Sequence, residues 1–331
     1  SGWYILGKEG EAFEREFANY LGVRHCVGVA NGTEAIALAL RGMDIGPGDE
    51  VITTDMTAFA TVTGIVQAGA IPVVVDVRPE DGLMDERLIE AQITPRTKCI
   101  VPVHLYGQSC DMDAILRIAQ AHGLKVMEDC AQAAGTTYRD RKAGGWGDCA
   151  AYSFYPTKNL GAYGDGGAIT TNDDATAERL RSLRNYGQTV RYHHDYEGIN
   201  SRLDEMQAAI LRVKLRHLDT WNVRRRTIAA RYRAGLTAVE CLTEHAYGLP
   251  NYHLFVVRAK DRTALSERLA REGVGILIHY PVPIRRQRAY HGPCKDVPRT
   301  PTDDFADAIL SLPMYPTLTD EEVDAVIRAV N

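Results

Sequence analysis

The 331-residue chain is expected to be an α/β protein, with a mostly parallel central sheet flanked by helices and a smaller α+β unit behind it. Two observations carry this expectation. Short runs rich in valine and isoleucine alternate with stretches of helical periodicity through the first two thirds of the chain. Near residue 222 the pattern changes, with Arg224-Arg225-Arg226 and polar text as far as Asn251 before strands and helices resume. The expected division is therefore 1–222 and 223–331.

In order, residues 8–21 repeat Phe13, Phe17 and Leu21 at helical spacing, and Gly22 can stop that helix. A strand over 26–30 leads through Asn31-Gly32-Thr33 into a helix carrying Ile36, Leu38 and Leu40. Strands are expected at 50–53, 71–77, 98–103 and 124–128, with helices at 61–68 and 112–122 between them. Strands at 150–154 and 168–171 bracket Lys158, and a helix follows over 175–185. Residues 201–221 read as one helix, with Leu203, Met206, Ile210 and Val213 on its apolar face and Ser201-x-x-Asp204 as a capping box. Behind the division, strands at 252–258 and 274–279 and helices at 263–271 and 319–329 complete the reading.

Composition excludes several classes. The chain is 45% hydrophobic and 24% charged, ordinary for a globular protein. A formal net charge of −5 provides no basic field for nucleic acid or an acidic membrane. The seven cysteines are scattered with no Cys-x-x-Cys pair, so no zinc or redox dithiol is implied and reduced thiols are expected. No apolar run approaches membrane-spanning length, and the start lacks the features of a signal peptide. A cytoplasmic protein without a metal is the expectation.

Lys158 is the most informative residue. It follows Ser153-Phe154-Tyr155-Pro156-Thr157 and precedes the glycine-rich run Gly161–Gly167, where helix and strand are both disfavoured. Upstream, Lys125-Val126-Met127-Glu128-Asp129 reads as a strand ending in a carboxylate. An amine and a fixed carboxylate are the two protein groups that a pyridoxal phosphate (PLP) enzyme requires. The amine bonds the cofactor's aldehyde, and the acid keeps the ring nitrogen protonated. In an open parallel sheet, ligands bind beyond the carboxyl ends of the strands. Asn31-Gly32-Thr33 would offer free N–H groups and a helix dipole there to a phosphate, with Gly32 permitting close approach. Ser153 can add a hydroxyl, and Gln132 can reach a ring oxygen. Taken singly these are a capped turn, an Asp beside a loop and a serine ending a strand. Their combination points to one cofactor. No Gly-x-Gly-x-x-Gly follows the first strand, and no Gly-Lys-Ser/Thr follows the glycine run, which disfavours a nicotinamide enzyme and a P-loop.

The blocks Asn31-Gly32-Thr33-Glu34-Ala35, Pro102-Val103-His104-Leu105-Tyr106-Gly107, Glu128-Asp129-Cys130-Ala131-Gln132, Ser153–Gly167 and Gly198-Ile199-Asn200-Ser201-Arg202 resemble the DegT/DnrJ/StrS sugar aminotransferases. So do Ile278-His279-Tyr280-Pro281-Val282-Pro283 and Leu310–Pro316. The resemblance implies the aspartate-aminotransferase (type I PLP) fold, a homodimer, and transfer of an amino group from L-glutamate to a nucleotide-linked keto sugar. By the same resemblance Lys158 is the cofactor-bonding lysine, Asp129 the ring-nitrogen partner and Gln132 the neighbour of the ring hydroxyl. Ser153, Gly32 and the amides of Thr33 and Glu34 match phosphate ligands, and Asn200 matches an asparagine supplied by the other subunit. Dehydratases of the family carry histidine at the lysine position, so Lys158 favours transamination.

Two departures stand out. Ala58 occupies a place where the family commonly has a ring-stacking aromatic, leaving Phe59 as the candidate. The sequence also begins where family members carry a preceding helical arm. Val190-Arg191-Tyr192-His193-His194 and His279-Tyr280-Pro281 are similar to enzymes that aminate C-3 of dTDP-6-deoxyhexoses in antibiotic or polysaccharide pathways. Tyr155, His279, Tyr280 and His104 are candidate sugar contacts. Arg285, Arg286 and Arg288 read as a solvated basic turn or as a pyrophosphate site. Amination at C-4 of a UDP- or GDP-sugar, and a PLP-binding regulatory protein without turnover, remain as alternatives.

Overall fold

The fold is described from a computed structural model covering residues 2–331. Its central sheet has seven strands: β1 His25–Val29, β2 Glu50–Thr54, β3 Ile71–Val75, β4 Thr97–Val101, β5 Lys125–Asp129, β6 Cys149–Ser153 and β7 Gly167–Thr171. Their order is β1-β7-β6-β5-β4-β2-β3. Only β7 runs against its neighbours, pairing antiparallel with β1 and β6, whereas the other contacts are parallel. The carboxyl ends of β1, β2, β3, β4, β5 and β6 therefore share one edge.

Alternation along the strands divides the core between two faces. Val27, Val51, Cys99, Val101 and Met127 point to the face covered by α2 Gly32–Gly42, α3 Phe59–Gln67 and α5 Asp174–Leu183. Cys26, Ile52, Ile100 and Val126 point to the face covered by α1 Lys8–Leu21, α4 Met112–His122 and α6 Glu205–Leu215. The expected helices on both faces are present. Behind them, α7 Leu218–Gly235, α8 Arg262–Arg271, α9 Pro301–Ala308 and α10 Asp320–Val330 surround a three-stranded antiparallel sheet. Its strands are β8 Glu240–Cys241, β9 Phe255–Arg258 and β10 Ile309–Leu312, in the order β8-β9-β10.

Three expectations need correction. Residues 201–221 are not one helix. Ser201 is buried and accepts the Ala30 N–H instead of capping, α6 starts at Glu205, and the chain turns at Arg216-His217 before α7. The helix buries Glu205, Ala208 and Leu211, leaving Met206 and Val213 exposed. Second, Arg224–Arg226 lie inside α7, as does residue 222, so no break in secondary structure occurs there. Arg224 donates to the Leu318 carbonyl and Asp320, and buried Arg225 donates to the carbonyls of Tyr252, His253 and Met314. Arg224 and Arg225 are thus spent on contacts distant in sequence. Third, residues 274–279 form no strand; only Leu277 bridges Ser311 of β10, and Pro281 lies just beyond.

Glu205 also explains how the chain's beginning docks. Its carboxylate accepts the N–H groups of Gly7, Glu9 and Gly10 at 3.0, 2.9 and 2.8 Å, filling the first turn of α1. Glu205→Ala is expected to cost about 3 kcal/mol, because three N–H groups lose a charged acceptor together. A lowered urea midpoint checks this; an unchanged midpoint means that water replaces the carboxylate at no cost.

Candidate functional site

The shared carboxyl edge gathers the side chains singled out by sequence. Beyond β1, Asn31 caps α2, its Oδ1 accepting the Glu34 N–H at 2.9 Å. The Glu34 amide is thus engaged, whereas the amides of Gly32 and Thr33 have no partner among the described residues. A Cβ on Gly32 would stand 2.7 Å from Ser153 Cβ, and one on Gly167 would stand 2.5 Å from the Asn31 carbonyl. Only glycine allows the β1–α2 turn to lie this close to the ends of β6 and β7. The result is a cradle of free N–H groups at a helix N-terminus with the Ser153 hydroxyl beside it, the donor set that suits a phosphate.

Asp129 ends β5 and is buried. Its Oδ1 accepts the Ala131 N–H at 3.0 Å, and its Oδ2 accepts the Thr61 hydroxyl at 2.8 Å. Thr61 is held in turn by Thr57 one turn earlier, 2.8 Å away. Burial pushes the Asp129 carboxyl above the usual carboxylate range, opposed by these bonds and by the charge of Lys158. Lys158 lies on the turn after β6, with its N–H donating to Tyr155 O at 2.8 Å. Burial lowers its amine below the ordinary lysine range, opposed only by Asp129. The two groups feel each other's charge, yet no ion pair joins them. A flat cationic ring beside Asp129, with a phosphate tail at the N–H cradle, would complement the acid and the free donors. The residues present fit PLP.

Gln132 is fixed on both sides, its Oε1 accepting the Tyr106 N–H at 2.6 Å and its Nε2 donating to Tyr280 OH at 3.2 Å. Burial and the Asp129 charge push the Tyr280 phenol up to about 12. His279 contacts Ser311 Oγ through Nδ1 at 2.8 Å, and its carbonyl accepts the Tyr106 hydroxyl. Burial and the Lys158 charge keep its imidazole below the usual range. Tyr280 and His279 thus join the group, while Tyr155 is exposed near Lys158 in sequence. Asn200 is exposed and bridges Asn185 through backbone, outside these contacts. Phe59 packs with Val62, Val74, Ile284 and Tyr290.

Two candidates are overturned. His104 is fully buried, with Nδ1 accepting the Cys110 N–H at 3.1 Å and Nε2 donating to Glu128 at 3.0 Å. That leaves it no reach toward a sugar. Glu128 also accepts the N–H groups of Gly144, Trp146 and Gly147, each at 2.8 Å, so the His104–Glu128–Cys130 cluster spends its donors and acceptors internally. Arg285 is neither solvated nor free for a pyrophosphate: it is 4% exposed and pairs with Asp55 and Asp76. Arg286 pairs with Asp303 at 2.8 Å.

Sequence reasoning missed the polar network under Lys158. Asn159 Nδ2 donates to Asn222 Oδ1 at 2.8 Å and to the Asn251 carbonyl at 3.2 Å, so its Oδ1 faces the His253 Nδ1–H at 3.1 Å. Asn222 and Asn251 both donate to the Ala134 carbonyl at 3.0 Å, tying the loop after Asp129 to the residue after Lys158. Burial and the nearby Lys158 hold His253 neutral, well below the usual range. No local pattern marks these residues. Thr61 had a weak signal, a second threonine one helical turn after Thr57.

A model of the DegT/DnrJ/EryC1/StrS aminotransferase family matches residues 1–331. A dTDP-3-amino-3,4,6-trideoxy-alpha-D-glucose transaminase of Streptomyces venezuelae is 48% identical over 341 residues, covering 100% of this chain and 88% of the relative. The crystal structure of DesV from S. venezuelae in complex with a ketimine intermediate superposes with a TM-score of 0.96 at 47% identity, covering 100% of this chain and 90% of that one. NtdA from Bacillus subtilis with bound cofactor PMP superposes with a TM-score of 0.93 at 32% identity, covering 99% and 78%. The expected fold class is therefore the one observed.

The electrostatics of Lys158 can be tested without any ligand. Its modification by an acylating reagent, followed against pH by mass spectrometry, is expected to reach half-maximal rate below the pH of surface lysines. Asp129→Asn is expected to move that midpoint lower still, because Asp129 supplies the one charge that raises it. A midpoint equal to that of surface lysines would contradict the desolvated amine.

Proposed function

The chain belongs to the DegT/DnrJ/EryC1/StrS aminotransferase family, and from that premise we propose that it uses PLP to move an amino group from L-glutamate to C-3 of a dTDP-linked 3-keto-6-deoxyhexose. The observation that carries the site assignment is the half-buried Lys158 amine and the buried Asp129 acid within reach of each other's charge, with the N–H cradle at the same edge of the sheet. In this reading Gly32 and Thr33 amides with the Ser153 hydroxyl hold the phosphate. Asp129 holds the proton of the ring nitrogen, oriented by Thr61 and Ala131, and Gln132 stands beside the ring. When bound, PLP supplies an electron-accepting ring that stabilises negative charge on carbon.

Lys158 does the proton work. Burial lowers the amine below the ordinary lysine range, so Nζ gives up its proton more readily than a surface lysine and can take a proton from one carbon and return it to another. The Lys158 charge and burial keep His253 and His279 below the usual imidazole range, and burial limits competing water. His279, Tyr280 and Tyr155 are the sugar contacts in this reading, with Gln132 and Ser311 orienting the first two.

The partner is a second copy of the chain. Met206 and Val213 leave an exposed apolar row on α6, with exposed Tyr163 held beside it by Gln207 and Lys214, and exposed Asn200 lies just ahead of that helix. In this reading Asn200 serves the other protomer's phosphate, as the family resemblance implies. All seven cysteines are free, and among the described residues no helix is long and apolar enough to cross a membrane. A cytoplasmic setting accords with both.

Lys158→Ala is expected to abolish turnover with the fold intact by circular dichroism; substantial residual turnover would remove Lys158 from the reaction. Asp129→Ala is expected to retain cofactor while losing at least about a hundredfold in rate, the scale of a misplaced proton at a reacting group. Glutamate should bleach the coloured holoenzyme, whereas a binding protein without turnover keeps its colour. NMR of the product from a panel of keto nucleotide sugars should place nitrogen on C-3, and nitrogen on C-4 rejects the C-3 assignment.

A further inference from the structure

We propose that Arg285 is a positioning residue: by bridging Asp55 and Asp76 it holds the 277–283 segment, and with it His279 and Tyr280, over the Lys158 site. This rests on the reading in which those two side chains meet the sugar. Asp55 follows β2 on the edge that carries Asp129. Its carbonyl accepts the Ile284 N–H at 2.9 Å, its Oδ1 accepts the Arg285 N–H at 2.8 Å, and its Oδ2 accepts Arg285 Nε at 2.6 Å. Arg285 Nη2 then reaches Asp76 Oδ1 at 2.9 Å, an oxygen also shared by the Thr302 hydroxyl at 2.5 Å. One guanidinium thus fastens a turn of the C-terminal part to the ends of both β2 and β3, which a point-charge lysine could not do with the same geometry.

The chain leading into that turn has few other holds. Up to Tyr280 it is tied to Ser311 by the Leu277 backbone and His279 Nδ1, to the Tyr106 hydroxyl by the His279 carbonyl, and to Gln132 by the Tyr280 hydroxyl. Beyond Tyr280, the one hydrogen bond among the described residues before the Ile284 N–H comes from within the same turn, Gln287 Nε2 donating to the Val282 carbonyl at 3.2 Å. Pro281 and Pro283 stiffen the intervening backbone by fixing φ, so a shift at Arg285 is transmitted to Tyr280. A buried ion pair is weak evidence for net stability, since desolvation offsets much of its attraction. What this one contributes is register.

The groups facing Asp55 are Arg285, Asp76, Arg286 and Tyr290. Burial, opposed by Arg285 and helped by Asp76, pushes the Asp55 carboxyl up to about 6. As pH falls through that value the bridge loses a negative charge. The fold is not penalised by this protonation, because the native carboxyl binds its proton more tightly than the unfolded chain does. Grip on the sugar should therefore weaken below pH about 6 with no matching loss of global stability from this group.

In Arg285→Met the KM for the keto sugar is expected to rise by about tenfold or more, with kcat and the rate of glutamate bleaching within about threefold of wild type. Hydrogen exchange at the amides of Tyr280, Val282 and Ile284 should quicken while the α2 amides are unchanged, a readout that needs no substrate. Asp76→Asn should shift both in the same direction by less, and it decides the matter if Arg285→Met does not fold. The low-pH rise in KM should vanish in Asp55→Asn. Unchanged exchange and unchanged KM overturn the inference, as does a fall in glutamate bleaching in step with the rise in KM. Failure of wild type to bleach with glutamate would instead reject the aminotransferase assignment of the site, and exchange alone would then decide the role of Arg285.

Discussion

Two opposite charges, one buried and one half-buried, lie near one another without pairing. Asp129 is held by Thr61 and the Ala131 amide, and the Lys158 backbone by its turn, with no ion pair between the two side chains. Burial shifts each toward its neutral form, opposed by the charge of the other. Had they paired, their mutual attraction would have been satisfied inside the protein, leaving nothing for a ligand. A cationic ring beside Asp129 would offset the solvation that the carboxylate loses. The separation is what makes this edge a site.

That separation depends on topology. Six strands ending at one edge place a phosphate cradle after β1, an orienting threonine after β2, an acid on β5 and an amine after β6 within reach of one small molecule. The β7 strand returns to the same edge, and Gly167 lets it pass the Asn31 carbonyl without displacing the cradle. Consecutive residues at the end of β5 take opposite fates. Glu128 turns into the fold and is satisfied by His104 and three backbone amides, while Asp129 faces the site short of compensating charge.

The C-terminal part completes the site instead of hanging beside it. Val256, Phe305 and Ile309 share a core with Ile52 and Ile100 of the large sheet. Asn222 and Asn251 reach down to the loop after Asp129, and Arg285 reaches the ends of β2 and β3. His279 and Tyr280 are presented from this second part, so the geometry at the proposed sugar depends on how firmly the two are joined.

Local pattern was enough for the seven central strands, most helices, the capped β1–α2 turn, and the pairing of a turn lysine with an acid at a strand end. Periodicity and turn chemistry act over a few residues, and these features are written at that range. The same text misread 201–221 as one helix, because Met206 and Val213 are apolar yet face outward, a choice made by a surface and not by spacing. It misplaced His104 and Arg285 for a related reason. A histidine at a strand end, or an arginine in a basic run, has no identity until its partner is known, and for Arg285 that partner lies 230 residues away. Which chemistry the chain carries was determined by residue types in local order; which polar groups are spent and which remain available was decided only when folding brought distant donors and acceptors together.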